Sequence, residues 1–184
     1  MIIWIDGAYG VGKTAIAKKL KEKLGSAAEL LESDYYNQEM MKKIIEEANA
    51  SRTVPLIGGV LPQNNIRFLR EFKKLIEEKS QDTNKHWIVD MALTRMECKE
   101  NLFDCLQKDG KSMIHFILIA DKAIIKERIK KDKNRTQEVA LDWLDYNISF
   151  LKENYPDAVR IKTDNRDVDD IVNEAIEIIK SKEN

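Results

Sequence analysis

The sequence predicts an α/β protein, an open parallel sheet with helices on both faces. Three observations predict it. Apolar stretches of strand length alternate along the chain with segments that carry a helical stripe. The first of these stretches runs into a glycine loop and then a helix. The longest, residues 113–120, lacks polar alternation, as strands buried on both faces do. Strands that alternate with helices pair in parallel, with right-handed crossovers. The 184 residues are enough for one domain with a sizeable core, and no repeat or linker divides them, so 1–184 reads as a single unit.

The first strand is Met1-Ile2-Ile3-Trp4-Ile5, rich in β-branched residues. Helix one spans about 13–24, with Ile16, Leu20 and Leu24 in a stripe and Gly25 as its cap. Residues 27–34 read as the second strand, ending at Ser33-Asp34, and a helix follows at about 38–49. Residues 50–63 read as a loop, holding two of the three prolines and the pair Gly58-Gly59. A loop of that length in a compact domain is usually functional or mobile. Asn64 or Asn65 caps the next helix, whose stripe is Ile66, Leu69, Phe72, Leu75 and Ile76. His86 to Asp90 is a buried strand ending in a carboxylate, and 94–108 is helical. The fourth strand, 113–120, is the central one. Asp121 caps a basic helix over 122–131, and a helix over 136–154 ends before Pro156. Val159 to Thr163 alternates in the manner of an edge strand, and the last helix covers about 167–181.

Charge and cysteine content narrow the function. Basic and acidic residues number 31 and 32, a net charge of −1 that speaks against nucleic acid as partner. No apolar run nears the roughly 20 residues of a membrane span, and the opening strand leaves no room for a signal peptide, so a cytoplasmic protein is expected. On one helix Cys98 and Cys105 lie about 10 Å apart along the axis, too far for a disulfide, and are expected to be reduced. Neither His86 nor His115 has zinc-ligand spacing to them. His115, inside the buried strand, needs a hydrogen-bond partner.

The chemistry concentrates at Gly7-Ala8-Tyr9-Gly10-Val11-Gly12-Lys13-Thr14, which fits G-x-x-x-x-G-K-[ST]. The backbone N–H groups of such a loop and the helix N-terminus behind it hold phosphates. Lys13 reaches the β- and γ-phosphates and Thr14 holds Mg²⁺, so ATP and Mg²⁺ are the expected cofactors. Asp90 fits a supporting role for Mg²⁺, a helix cap, or a plain solvated strand end. Asp34 fits three roles: accepting a proton from an acceptor hydroxyl, holding that hydroxyl, or capping a helix. In the basic run 126–135, Arg128 and Arg135 are the residues suited to clamp phosphate, as a short lid over about 126–136 would need. Asp164 and Asn165 follow the last strand and either flank the adenine or form a plain turn. Tyr35, Tyr36, Arg52, Arg67 and Arg70 lie in the middle region, about 35–86, where the acceptor is expected to bind.

On the phosphate loop with its preceding Ile2-Ile3-Trp4-Ile5, the strand His115 to Ala120 with the helix reaching Arg128, and Ile161-Lys162-Thr163-Asp164-Asn165, the chain resembles small phosphate-loop kinases of the adenylate, gluconate and shikimate kinase type. More closely it resembles the bacterial tunicamycin-resistance protein family. The resemblance covers about half the chain. It implies a five-stranded sheet of order 2-3-1-4-5, binding of ATP and Mg²⁺, a lid at Arg128 to Arg135, and tolerance of a nucleoside antibiotic. Asp90 is not followed by the Arg-Ser pair of deoxynucleoside kinases. Gly58-Gly59 stands before the third helix rather than where shikimate kinases carry a glycine triplet. An oligomeric ATPase motor is not expected, since the chain has no room for a separate helical lid domain. The sequence points to an ATP-dependent phosphotransferase acting on a small molecule, as monomer or homodimer. The alternatives are an ATP-binding protein that sequesters a nucleoside-like ligand without turnover, and a simple NTPase switch.

Overall fold

The computed structural model describes residues 1–55, 61–132 and 137–183. Five strands form one parallel sheet in the order β2-β3-β1-β4-β5, as expected: β1 (Ile2–Gly7), β2 (Ala28–Glu32), β3 (His86–Asp90), β4 (Met113–Ile119) and β5 (Val159–Lys162). β1, and not β4 as expected, lies in the middle, with Ile5 in register with Asp90 on one side and Phe116 on the other; the longest apolar run is the strand beside it. The carboxyl ends of β1 and β3 therefore lie side by side, which brings the phosphate loop next to Asp90.

The apolar runs conceal a period of two. Ile3 and Ile5 face one core with Phe116 and Leu118, while Ile2 and Trp4 face the other with Trp87, Val89 and Ile117. The first core is closed by α1 (Lys13–Leu24), α6 (Lys122–Lys131) and α9 (Val168–Glu183). The second is closed by α3 (Ile66–Lys79), by α8 (Leu144–Asn154), and by α4 (Met96–Cys98), which runs on through a π turn (Lys99–Phe103) into α5 (Asp104–Lys108). Burial on both faces explains the near-absence of polar residues in β1, β3 and β4.

Four element boundaries differ from the sequence expectation. β2 stops at Glu32, and α2 (Ser33–Ser51) starts at once, so residues 33–37 are helical and not strand or linker. The start was concealed because its inward side carries buried Ser33 and Asn37 before Ile44 and Ala48, which an apolar count does not register. Within the expected loop over 50–63, Pro62–Asn64 forms a 3₁₀ turn, and Asn65 caps α3 by accepting from the Phe68 N–H at 3.1 Å. Gly58-Gly59 lies outside the described residues. The helix expected over 94–108 starts at Met96 and carries the π turn, which puts Leu102, Phe103 and Leu106 all in the core. The helix expected over 136–154 is divided at Trp143 into α7 (Gln137–Asp142) and α8.

Both cysteines are free thiols. Cys98 is fully buried and donates to the Gln63 carbonyl at 3.4 Å, and burial pushes its pKa up to about 12. No group of three metal-ligating side chains occurs among the described residues. No helix among them is long and apolar enough to cross a membrane.

Candidate nucleotide site

β1 delivers Gly7 to the centre of the sheet edge, and the loop closes onto α1 through two left-handed glycines, Gly10 with φ 79° and Gly12 with φ 105°. A Cβ on Gly10 would lie 2.7 Å from Ile129 Cγ1, so only glycine lets α6 pack against the loop there. Gly12 meets nothing within 4 Å and opens outward at the N-terminus of α1, with no side-chain cap on the helix. The first-turn N–H groups of α1 have no intrahelical acceptor, which is the chemistry of an anion site. Lys13 Nζ donates to the Gly7 and Ala8 carbonyls at 2.9 and 3.2 Å, lying back along the loop.

Thr14 Oγ1 donates to Asp90 Oδ2 at 2.7 Å. Burial raises the Asp90 pKa above its ordinary value. Lys13 and the Thr14 hydroxyl oppose the rise, while Asp34 and Glu32 add to it. Asp34 thus shares the field of Asp90, but from the exposed first turn of α2 rather than from a strand end. Glu32, absent from the sequence reading, is in register with Asp90 and pairs with Lys18 at 3.1 Å. A hydroxyl and a carboxylate side by side, without a third protein ligand among the described residues, suit a cation that keeps several waters and takes its remaining ligands from phosphates, as Mg²⁺ does.

Arg128 donates to the Val11 carbonyl at 3.3 Å, to Thr163 Oγ1 at 3.0 Å and to the Thr163 carbonyl at 2.9 Å. Its guanidinium ties the loop to the end of β5. Tyr9 donates to Asp132 Oδ2 at 3.1 Å, linking the loop to the far end of α6. Arg135 lies outside the described residues. Asp164 accepts the Asp121 N–H at 2.6 Å, and Asn165 sits at φ 50°, so this pair forms the turn that joins the ends of β4 and β5.

Of the middle-region candidates, Tyr35 is exposed at the start of α2 and meets Tyr36 edge-on, while Tyr36 packs on Phe72. Arg67 and Arg70 lie on the exposed face of α3, and Arg52 ends α2 at φ 52°. Sequence reasoning passed over two residues that matter here. Asp6, fully buried, accepts the Gly7 N–H at 2.6 Å and the Leu93 N–H at 3.1 Å, and bonds His115 Nε2 at 3.0 Å. It is the partner His115 required, and its signal was an acid inside a wholly apolar strand. Arg95, in the loop after β3, is the other.

Residues 2–148 match the family model described as an AAA domain. The chain belongs to this AAA-domain family. No curated protein sequence matches it. Among solved structures, the tunicamycin resistance protein of Deinococcus radiodurans superposes with a TM-score of 0.72 at 22% identity, covering 97% of this chain and 94% of that one. A sugar kinase from Janibacter sp. HTCC2649 gives 0.65 at 20% identity, with 97% and 94% covered. A gluconokinase from Sinorhizobium meliloti 1021 gives 0.62 at 16%, with 95% and 89% covered. At these identities the likeness speaks for the fold.

Proposed function

We propose that this AAA-domain protein is an ATP- and Mg²⁺-dependent phosphotransferase acting on a small-molecule acceptor. The observation that supports it is the convergence of three elements on one point: Lys13 and Thr14 open α1, Asp90 ends β3 within 2.7 Å of Thr14, and Asp34 opens α2 in the field of Asp90. Thr14 and Asp90 would hold Mg²⁺, which would supply positive charge for the β- and γ-phosphates. Lys13 exchanges its bonds to the Gly7 and Ala8 carbonyls for phosphate oxygens. Arg128 keeps the loop in shape by fixing the Val11 carbonyl. Asp34, exposed and a short step from Asp90, orients the acceptor hydroxyl or takes its proton.

Mass spectrometry of nucleoside, sugar and antibiotic acceptors incubated with ATP, Mg²⁺ and protein tests this reading. One phosphorylated product is expected, and ATP binding without any product counts against it. Asp34→Asn separates the roles of that carboxylate: a base loses turnover and keeps acceptor affinity, whereas a binding group loses affinity. A second reading draws on the fold shared with the tunicamycin resistance protein of Deinococcus radiodurans. In it the chain sequesters a nucleoside-like ligand while ATP is bound, which calorimetry would record as stoichiometric binding without product.

A further inference from the structure

Asp90 is followed by a loop that is held unusually firmly. The Trp4 indole N–H donates to the Met91 carbonyl at 3.0 Å, and the Leu93 N–H donates to the buried Asp6 carboxylate at 3.1 Å. Met91, Leu93 and Thr94 are buried. At the end of this loop Arg95 emerges. Its Nη1 donates to the Thr94 carbonyl at 2.8 Å and to Oδ1 of Asn147, a buried side chain of α8, at 3.3 Å. Its guanidinium carbon lies 4.3 Å from the ring centre of Trp143 and 5.1 Å from that of Tyr146. These two rings meet edge to face at 5.5 Å, yet they stay 45% and 44% exposed.

This is an arginine oriented for use. Stacking and two hydrogen bonds fix the plane of the guanidinium, so little rotamer entropy is left to lose on binding. Both hydrogen bonds leave from Nη1, and Arg95 makes no ion pair among the described residues. Its Nε and Nη2 edge thus offers the two parallel N–H donors that match a carboxylate or phosphate. The aromatic rings add a flat apolar surface beside that edge. The location is also informative. Leu93, two residues away, shares the Asp6 carboxylate with Gly7, the first residue of the phosphate loop. Two residues of extended chain span about 7 Å, so Arg95 lies within a small molecule's length of the loop. Its contacts with Asn147, Trp143 and Tyr146 place it against α8.

We propose that Arg95, framed by Trp143, Tyr146 and Asn147, recognises an anionic group on the acceptor, a carboxylate or phosphate attached to a hydroxyl-bearing body that lies against the two rings. This rests on the phosphotransferase reading for the word acceptor, but the binding site is testable apart from it. Trp143 is exposed, whereas Trp4 and Trp87 are buried, so quenching of intrinsic fluorescence reports on this site. Without nucleotide, gluconate and shikimate represent polyhydroxy carboxylates, UMP and AMP represent nucleoside monophosphates, and glucose, uridine and adenosine are the neutral counterparts.

Saturable quenching by at least one anionic probe is expected, with its neutral counterpart weaker by roughly ten-fold or more. Which probe class binds identifies the source of the anion. Arg95→Gln is expected to weaken that probe by about ten-fold or more and Arg95→Lys by less, with ATP affinity by calorimetry unchanged in both. Equal binding of the neutral counterpart, wild-type binding by Arg95→Gln, or no quenching by any anionic probe overturns the proposal. Anion binding lost in Arg95→Gln, with no product when ATP is supplied, keeps this site and removes the phosphotransferase. Turnover that survives Arg95→Gln unchanged does the reverse.

Discussion

Asp90 ties stability to pH through a single buried carboxylate. Burial raises its pKa, so around and above the ordinary value of 3.8 the folded protein holds this proton more tightly than the unfolded chain does. The free energy of unfolding therefore falls as pH rises through that window. Asp90→Asn keeps an acceptor for Thr14 and removes the buried charge. Its melting temperature without ligand should exceed that of the wild type at neutral pH, and the gap should close as pH falls toward 3.8. Stabilisation by ATP with Mg²⁺ should be smaller in the variant, which scanning calorimetry with and without ligand would show. Asp6 predicts the opposite sign. Asp6→Ala strands the buried N–H groups of Gly7 and Leu93. At about 1–3 kcal/mol for each unsatisfied group, urea unfolding should show a marked loss of stability. Gly7 to Thr14 and Asp90 could be singled out by their spacing and strand-end position, and the fold brings Thr14 and Asp90 within 2.7 Å of each other. Asp6 and Arg95 were not singled out. One looked like an irregularity in an apolar strand, and the other acquires meaning from aromatic residues 48 and 51 positions away, Trp143 and Tyr146.

At the scale of elements, α6 is a strut against the phosphate loop. Ile129 fills the space that a side chain at position 10 would need. Gly10→Ala should destabilise the protein by about 1–3 kcal/mol and weaken ATP binding. Ile129→Ala makes room, so the double variant should be more stable than the two single losses predict, a non-additivity measurable by denaturant titration. The backbone strain at φ 79° remains, so rescue should be partial. α3, with its apolar stripe, and α6, with its Asp121 cap, were located correctly from sequence. α2 was shortened because Ser33 and Asn37 face inward, and Asn37 instead meets Asn65 through a side-chain bond of 3.4 Å. The break at Trp143 was missed because the hydrogen-bond ladder passes through it, from Val139 at 3.3 Å to Asn147 at 2.9 Å. A gentle bend of this kind leaves no proline or glycine behind.

For the whole molecule, one sheet serves two cores, so neither can melt without exposing the other face of β1, β3 and β4. Unfolding in urea should be a single transition, with tryptophan fluorescence and far-UV circular dichroism superimposing. Leu20→Ala, in the core that holds no tryptophan, should cost about 2–5 kcal/mol and shift both signals together. The alternation of strands and helices was readable in order along the chain, while the strand order came from family resemblance, because lateral placement depends on crossovers that no local pattern encodes. The same packing gives the protein a clock. The half-exposed Cys105 stands ready for a disulfide reagent, whereas Cys98 is sealed beneath the turn Pro62–Asn64 with its thiol on the Gln63 carbonyl. Labelling should proceed in a fast and a slow phase. The slow phase counts how often that turn lifts from α4, and its lengthening on ligand addition would time how far an occupied site reaches into the fold.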